Sequence, residues 1–249
     1  GDDARGTDLG LNFTGGVPSL RLWAPTATSV DLLLFADGTG AGDPTRVAMQ
    51  PEADGTWTVT GAADWKNRAY QFDVNVFVPS VDAMTHNIVT DPYSEALTLN
   101  STHSVLADLD DPALAPSIWT DTEAPQIDQF VDRAIYELHI RDYSISDESV
   151  PEDKRGTYEA FALKGTDGDL RMRELAEAGM NTVHLLPSFD IATIEEDRAR
   201  QVTPTIPDAG PASQEQQAAV TAVADKDAFN WGYDPYHYST PEVSYATDA

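Results

Sequence analysis

The sequence predicts an antiparallel β-sandwich followed by an α/β segment that opens a parallel sheet. Three observations carry that reading: alternating β-prone runs between turn residues from Ser19 to Phe77, a strand–helix–strand pattern from Ala134 to Pro187, and a breaker-rich stretch between the two. In the first part Leu20, Leu22 and Ala24 alternate with Arg21 and Trp23, and Val30 to Phe35, Thr56 to Thr60 and Ala69 to Val78 are further β-prone runs. Asp37-Gly38, Ala41-Gly42-Asp43-Pro44, Asp54-Gly55 and Gly61 punctuate them at a spacing that suits a sandwich, so residues 8–110 are expected to form a small all-β domain. Residues 111–133 hold Pro112, Pro116 and Pro125, show no sustained period, and read as a linker.

From residue 134 the pattern changes. Ala134 to Asp142 reads as a strand with Tyr136, Leu138 and Ile140 on one face and Glu137, His139 and Arg141 on the other. Asp169 to Ala178 is rich in helix formers, with Gly179 at the natural stop, and Thr182 to Pro187 is apolar enough for a buried parallel strand. Residues 191–228 interrupt the alternation with a polar, Ala- and Gln-rich insertion, whose tail from Gln214 to Ala224 suits a helix. Phe229 to Ala249 is dense in aromatic residues, Asp and Pro but has no period, the mark of a structured loop.

With 41% hydrophobic residues in 249, the chain has enough apolar material for a globular core. It has no cysteine, which excludes disulfides, thiol nucleophiles and cysteine zinc sites, and no apolar run of the roughly 20 residues a membrane span needs. Forty-two acidic residues against 15 basic ones give a formal net charge of -27, which repels nucleic acid and anionic membranes and leaves a neutral partner acceptable. That acidity fits either a secreted bacterial protein or adaptation to high salt. The start at Gly1, without an initiator Met or an apolar leader, leads us to expect a natural chain that begins upstream, with an extracellular or periplasmic setting favoured.

Asn230-Trp231-Gly232-Tyr233-Asp234-Pro235, continuing through Tyr236-His237-Tyr238, Pro241-Glu242 and Ser244 to Asp248, closely resembles a signature of the pullulanase and limit-dextrinase family of starch-debranching enzymes. Three earlier strings agree in order. Leu22 to Ala27 resembles the opening of a family-48 carbohydrate-binding module, Tyr136 to Asp142 the first strand of the catalytic (β/α)8 TIM barrel, and Val183 to Asp190 its second. The insertion at 191–228 is similar to that of the limit-dextrinase subgroup. The resemblance implies a β-sandwich module at 8–110 and the first part of a glycoside hydrolase barrel at 134–249. Two positions depart from the pattern, Val243 for Gly and Ala249 for Pro; the first questions the backbone turn, because Val reaches positive φ only with strain.

The chemistry of the loop can be read without the family. A sugar ring rests its apolar face on an aromatic side chain while its hydroxyls need paired donors and acceptors, and Trp231, Tyr233, Asp234, Tyr236 and His237 supply both. Packing under the loop is the commoner use of bulky aromatics such as Trp231 and Tyr236. By resemblance Tyr233 stacks on the glucose before the scissile bond and Asp234 fixes its hydroxyls, with Trp231 and Asn230 completing the site. In the β-domain Trp57, Trp65 and Tyr70 are candidates for a glucan platform, with Lys66 and Asn67 beside it; alternation makes Trp57 core, leaving Trp65 and Lys66 as the surface candidate, and Trp23 is expected in the core or at a domain interface. Glu137, His139 and Arg141 are expected to satisfy one another as a buried polar set, and His184 to be an interior histidine.

A retaining glycosidase needs two carboxylates about 5 Å apart at the C-terminal ends of barrel strands. By resemblance these lie on later strands than this chain reaches, so no catalytic residue is assigned and the isolated chain is expected to be inactive. The partner implied is an α-glucan such as pullulan, glycogen or limit dextrin, and calcium is a possible ligand by resemblance, although no EF-hand spacing is present. A branching enzyme or isoamylase and a non-catalytic glucan-binding protein are the alternatives.

Overall fold

A computed structural model of the chain describes residues 4–123, 125–228 and 230–247. It separates into two units, Gly1–Pro116 with His237–Pro241, and Ser117–Tyr236 with Glu242–Ala249.

Among the described residues the first unit has nine strands, β1 (Gly10–Thr14), β2 (Val17–Trp23), β3 (Ala27–Leu34), β4 (Thr45–Ala48), β5 (Gln50–Pro51), β6 (Thr56–Thr60), β7 (Ala69–Val78), β8 (Ala83–Val89) and β9 (Ser104–Val105). They form two antiparallel sheets, ordered β1-β2-β6-β5 and β4-β3-β7-β8, with β9 also paired to β7. Period-2 alternation turns Leu20 and Leu22 of β2 and Trp57 of β6 inward, against Val30, Leu32 and Leu34 of β3 and Tyr70 and Phe72 of β7. This shared core is what makes the two sheets a sandwich. The chain passes from one sheet to the other at Met49, which is buried and whose N–H donates to the Val30 carbonyl.

The sandwich places three of the aromatic residues. Trp57 is core, as alternation demands, and its Nε1–H donates to the Ala24 carbonyl at 3.0 Å. Tyr70 cannot belong to a sugar platform: its ring is in the same core, and its hydroxyl donates to the buried Asp91 carboxylate at 2.9 Å. Trp23, expected in the core or at a domain interface, is not in the core: it is 44% exposed, because the last residue of β2 falls on the outward side of the pleat.

Asp91 organises the turns below the sandwich. It accepts from Tyr70 and from the Tyr93 amide, while its own N–H donates to Ser104 Oγ. Residues 237–241 pack with this unit: the His237 ring meets Thr90 Oγ1 at 2.7 Å, and the Thr240 hydroxyl donates to the Ser94 carbonyl at 2.7 Å. Burial pushes the Asp91 carboxyl above its ordinary value, against the opposing pull of the Tyr93 and Tyr70 hydrogen bonds.

The second unit contains β10 (Ile135–Leu138) and β11 (Thr182–Leu185), parallel and in register from Ile135 opposite Thr182 to Leu138 opposite Leu185. Its helices are α1 (Ile140–Ser144), α2 (Asp167–Glu177) and α3 (Glu215–Thr221). The first strand is shorter than expected. It ends at Leu138, and His139 caps α1 by accepting the Asp142 N–H on Nδ1. Helix α2 starts on the Thr166 hydroxyl, carries Asp167 and Asp169 in its first turn, where acidic side chains suit the helix dipole, and stops at Gly179, whose φ is +101°. Together β10, α2 and β11 make the strand–helix–strand unit. Leu138, Ile140, Ile191, Ile194 and Tyr245 form its core. Contrary to the expected burial, β11 exposes 47% of Val183 and 42% of Leu185. The insertion is largely irregular, and α3 lies within its predicted helical tail.

Replacing Tyr70→Phe keeps the ring and removes a donor from a buried carboxylate, so the first unit should lose about 1–3 kcal/mol. The urea midpoint of the transition that exposes Trp57 measures this, and an unchanged midpoint contradicts it.

Candidate functional site

The aromatic loop is held by backbone pairing with the chain that follows β11. The Ala192 N–H donates to the Asp234 carbonyl and the Tyr236 N–H to the Asp190 carbonyl, each at 2.9 Å, with Ile191 bridged to Pro235. The Glu242 N–H donates to the Ser188 carbonyl at 2.9 Å. Its side chain is fully buried: one oxygen accepts the Ile191 N–H and the other the Ser244 N–H, both at 2.8 Å. Tyr158 donates to the Glu242 carbonyl at 3.1 Å. Glu242 therefore ties the segment after β11 to the far end of the aromatic loop.

At the near end Asn230 performs three tasks. Its carbonyl accepts from His139 Nε2 at 2.6 Å, its Oδ1 accepts the Gly232 N–H, and its Nδ2 donates to Thr193 at 3.2 Å. With Nδ1 of His139 accepting from the Asp142 N–H, Nε2 carries the proton that reaches Asn230. Gly232 adopts φ +79°, and a Cβ there would stand 2.8 Å from the Pro187 carbonyl oxygen. No other residue fits that turn without movement.

These constraints turn Trp231 and Tyr233 outward, Tyr233 being 68% exposed, and Asp234 is exposed beside them. Tyr233 lines an open groove of about 440 Å³ with Leu185, Leu186, Pro187, Ser188 and Phe189 at the C-terminal end of β11, and with Glu137 and His184. In that groove His184 Nδ1 meets Glu137 Oε2 at 3.1 Å, and both side chains are more than half exposed.

The expected mutual set of Glu137, His139 and Arg141 is thus not formed. Glu137 pairs with His184, His139 turns to Asn230 and Tyr245, and Arg141 to Asp142, because the strand ends before His139 and the alternation of faces ends with it. His184 is correspondingly exposed rather than interior. His237 does not join the exposed aromatics; it is buried on Thr90 in the first unit. Asn230 acts as a positioning residue, with its polar atoms already engaged. Val243 lies in a short 3-10 turn, Val243–Tyr245, and is not among the residues with positive φ, so the departure from Gly is accommodated without strain. Ala249 and Asp248 lie outside the described residues. In the first unit Trp65 is half-buried against the core, and Lys66 Nζ lies 2.7 Å from Asp111 and 3.4 Å from Asp108.

Sequence reasoning quoted Asp190, Glu242 and Ser244 only as members of strings and gave no role to Glu196. The structure gathers the Asp190, Glu196 and Glu242 carboxylates, all buried, with oxygens within 4.8 Å of one another. Burial and the neighbouring Asp190 push the Glu242 carboxyl above its ordinary value, against the lowering pull of its Ser244 and Ile191 hydrogen bonds. The three lie as close together as the carboxyl pair of a retaining glycosidase, but no sugar reaches carboxylates that are 0–2% exposed.

Residues 8–94 match the family described as carbohydrate-binding module 48 (isoamylase N-terminal domain), and over nearly all its length the chain is similar to pullulanases. It is 34% identical to pullulanase 1, chloroplastic, of Arabidopsis thaliana, over 96% of this chain and 25% of that protein. It is 31% identical to the pullulanase of Klebsiella aerogenes, over 98% and 26%. Among solved structures, Klebsiella pneumoniae pullulanase complexed with maltotriose superposes with a TM-score of 0.90 at 30% identity, covering 99% of this chain and 27% of that one. The chain spans about a quarter of the length of the curated relatives it matches.

The turn at Gly232 yields a direct test. Gly232→Ala should cost about 1–3 kcal/mol of local strain, so the Ala192 and Tyr236 amides, which hold the loop, should exchange with deuterium about tenfold faster or more. Unchanged exchange at both would show that Gly232 does not set the loop.

Proposed function

We propose that this chain belongs to a starch-debranching glycoside hydrolase that cleaves α-1,6-glucosidic linkages in pullulan, glycogen and limit dextrins with retention of configuration. In this reading residues 8–110 are the carbohydrate-binding module, 111–133 the linker, and 134–249 the opening part of a (β/α)8 barrel with an insertion at 191–228. The observation that carries it is the exposed Tyr233 ring above the groove at the C-terminal end of β11, held there by the Gly232 turn and the Glu242 anchor. Barrel enzymes place their substrates at that end of their strands. The half-exposed Val183 and Leu185 of β11 also suit a sheet that continues.

Tyr233 offers a face for a glucose ring, with Asp234 as acceptor for its hydroxyls and Trp231 as a second apolar surface; Asn230 fixes the turn beneath them. No residue of this chain is assigned the role of nucleophile or general acid. The reading places a minor glucan contact at Trp65 and Lys66. Maltotriose in the Klebsiella pneumoniae pullulanase structure supports a glucan as the ligand class.

The parent protein is the object to assay. It should release maltotriose from pullulan, and Tyr233→Ala should lower kcat/KM by about 10- to 100-fold, the loss of about 1–3 kcal/mol of stacking and burial. Chain transfer without small sugars would instead identify a branching enzyme. The 249-residue chain alone should leave pullulan intact. Limited proteolysis should leave a resistant fragment ending within residues 111–133, since the sandwich has a core of its own; a single resistant species of full length would reject this division.

A further inference from the structure

We propose that the outer face of the β1-β2-β6-β5 sheet is a separate glucan-binding surface, a trough that hydrogen-bonds one α-glucan strand through Asn12, Arg21 and Thr58 and stacks a glucose ring on Trp23. The proposal rests on the reading of this chain as part of a glucan-active protein, which supplies the ligand class. The sheet supplies the place. It lies in the first unit and uses neither Tyr233 nor Trp65.

Strand register assigns the face. Leu20 stands opposite Val59 and Leu22 opposite Trp57, and these side chains turn into the core. The alternate pairs face outward: Asn12 with Ser19, Ser19 with Thr60, Arg21 with Thr58, and Trp23 with Thr56. Asn12, Ser19, Arg21, Thr58 and Thr60 line an open trough of about 550 Å³, a size usual for small-ligand sites. A solvated sheet face also carries polar residues, so polarity alone would decide nothing. Two further features do.

The first is a guanidinium fixed before any ligand arrives. Arg21 Nη1 donates to Thr56 Oγ1 at 2.8 Å, and the fully buried Thr56 hydroxyl donates to Asp54 at 2.7 Å. That contact uses one of the five N–H donors of the group, and the side chain is 32% exposed. Beside it, the Thr58 hydroxyl donates to Glu52 at 3.1 Å, so its oxygen is left as an acceptor. Donor and acceptor therefore stand in one cross-strand pair.

The second feature is an exposed ring on the same face. Trp23 is 44% exposed and lies two residues along β2 from Arg21, a separation of about 6.8 Å. The turn at Gly55 supports it: Gly55 has φ +83°, its carbonyl accepts the Ala24 N–H at 3.2 Å, and a Cβ there would stand 3.8 Å from Trp23 Nε1. An apolar ring face next to a fixed donor and acceptor is what a pyranose needs for its C–H face and its hydroxyl rim. Charge selects the same ligand. Asp54 lies 3.9 Å from Arg21 and Asp8 also lines the trough, so the single cation is offset and an anion has nothing to gain over a neutral sugar.

The experiment uses the 249-residue chain carrying Tyr233→Ala and Trp65→Ala, which silence the aromatic groove and the minor contact. Glycogen in a native gel and calorimetric titration with maltoheptaose are the probes. This chain should still be retarded by glycogen and bind maltoheptaose saturably. Adding Trp23→Ala should weaken binding about tenfold or more, Arg21→Gln about 3- to 10-fold, and Trp23→Tyr much less than Trp23→Ala. Should Trp23→Ala fail to fold by circular dichroism, Arg21→Gln and Thr58→Val decide the matter. Loss of all retardation in the starting chain, or equal affinity with and without Trp23 and Arg21, overturns the trough. If the parent protein releases maltotriose from pullulan alongside either of those results, this site alone is rejected and the debranching reading stands. A parent that leaves pullulan intact, with a chain that ignores glycogen, rejects both.

Discussion

The Glu242 carboxylate takes the Ile191 amide on one oxygen and the Ser244 amide on the other, with no part of the residue reaching solvent. Hydrogen bonds to a charged acceptor contribute about 1.5–3 kcal/mol each, and losing the acceptor would strand two amides in the interior. Its backbone adds the pairing with Ser188 and accepts from Tyr158. A single residue thus joins the chain after β11, the turn at 243–245 and the wall made by Tyr158. The exposed face depends on this buried one. Tyr233 and Trp231 point outward on a backbone pinned at the Asn230 and Asp234 carbonyls and the Gly232 and Tyr236 amides. A ring held in this way loses less entropy when a ligand stacks on it than one on a mobile loop.

The first unit repeats the device with Asp91. That side chain receives the Tyr70 hydroxyl and the Tyr93 amide, and its own amide goes to Ser104, so one buried acid fixes the segment that follows β8. In both places a carboxylate substitutes for regular secondary structure, satisfying amides of irregular chain that neither sheet nor helix would reach. The cost is desolvation, visible in the raised carboxyl of each.

Much of the sandwich was legible because its central strands bury one face. The runs at 30–35, 56–60 and 69–78 are rich in β-branched, aromatic and aliphatic residues between turn signals and fall on β3, β6 and β7. The edge strands were not. In β8 the polar Thr85 and Asn87 turn inward and bond to each other, while Met84 and Ile88 face solvent, so the alternation carries the opposite sense to a core strand. β1, β4, β5 and β9 are too short or too polar to stand out. In the second unit the helix was evident from its formers and Gly179, but apolar Ile140 continued the strand pattern into α1, hiding the break at His139. The exposed aromatics of the loop were visible as residue types. The anchor beneath them was not, since Glu242 is written in the same letter as many surface acids.

Burial sorts those acids into two populations with different consequences. The exposed majority produce a strongly negative field that screening confines to about 8 Å at physiological ionic strength. A neutral sugar settling on Tyr233 neither gains nor loses from that field, because it carries no charge and its contacts are stacking and hydrogen bonds. An anionic ligand would be turned away before contact. Cations are drawn toward the surface, but exposed carboxylates remain well hydrated and hold them weakly. Only where carboxylates have left water, as at Glu242, does the ionised group depend on the donors that the protein itself supplies. The same residue type therefore supplies a diffuse field at the surface and a specific anchor in the interior, and burial alone decides which.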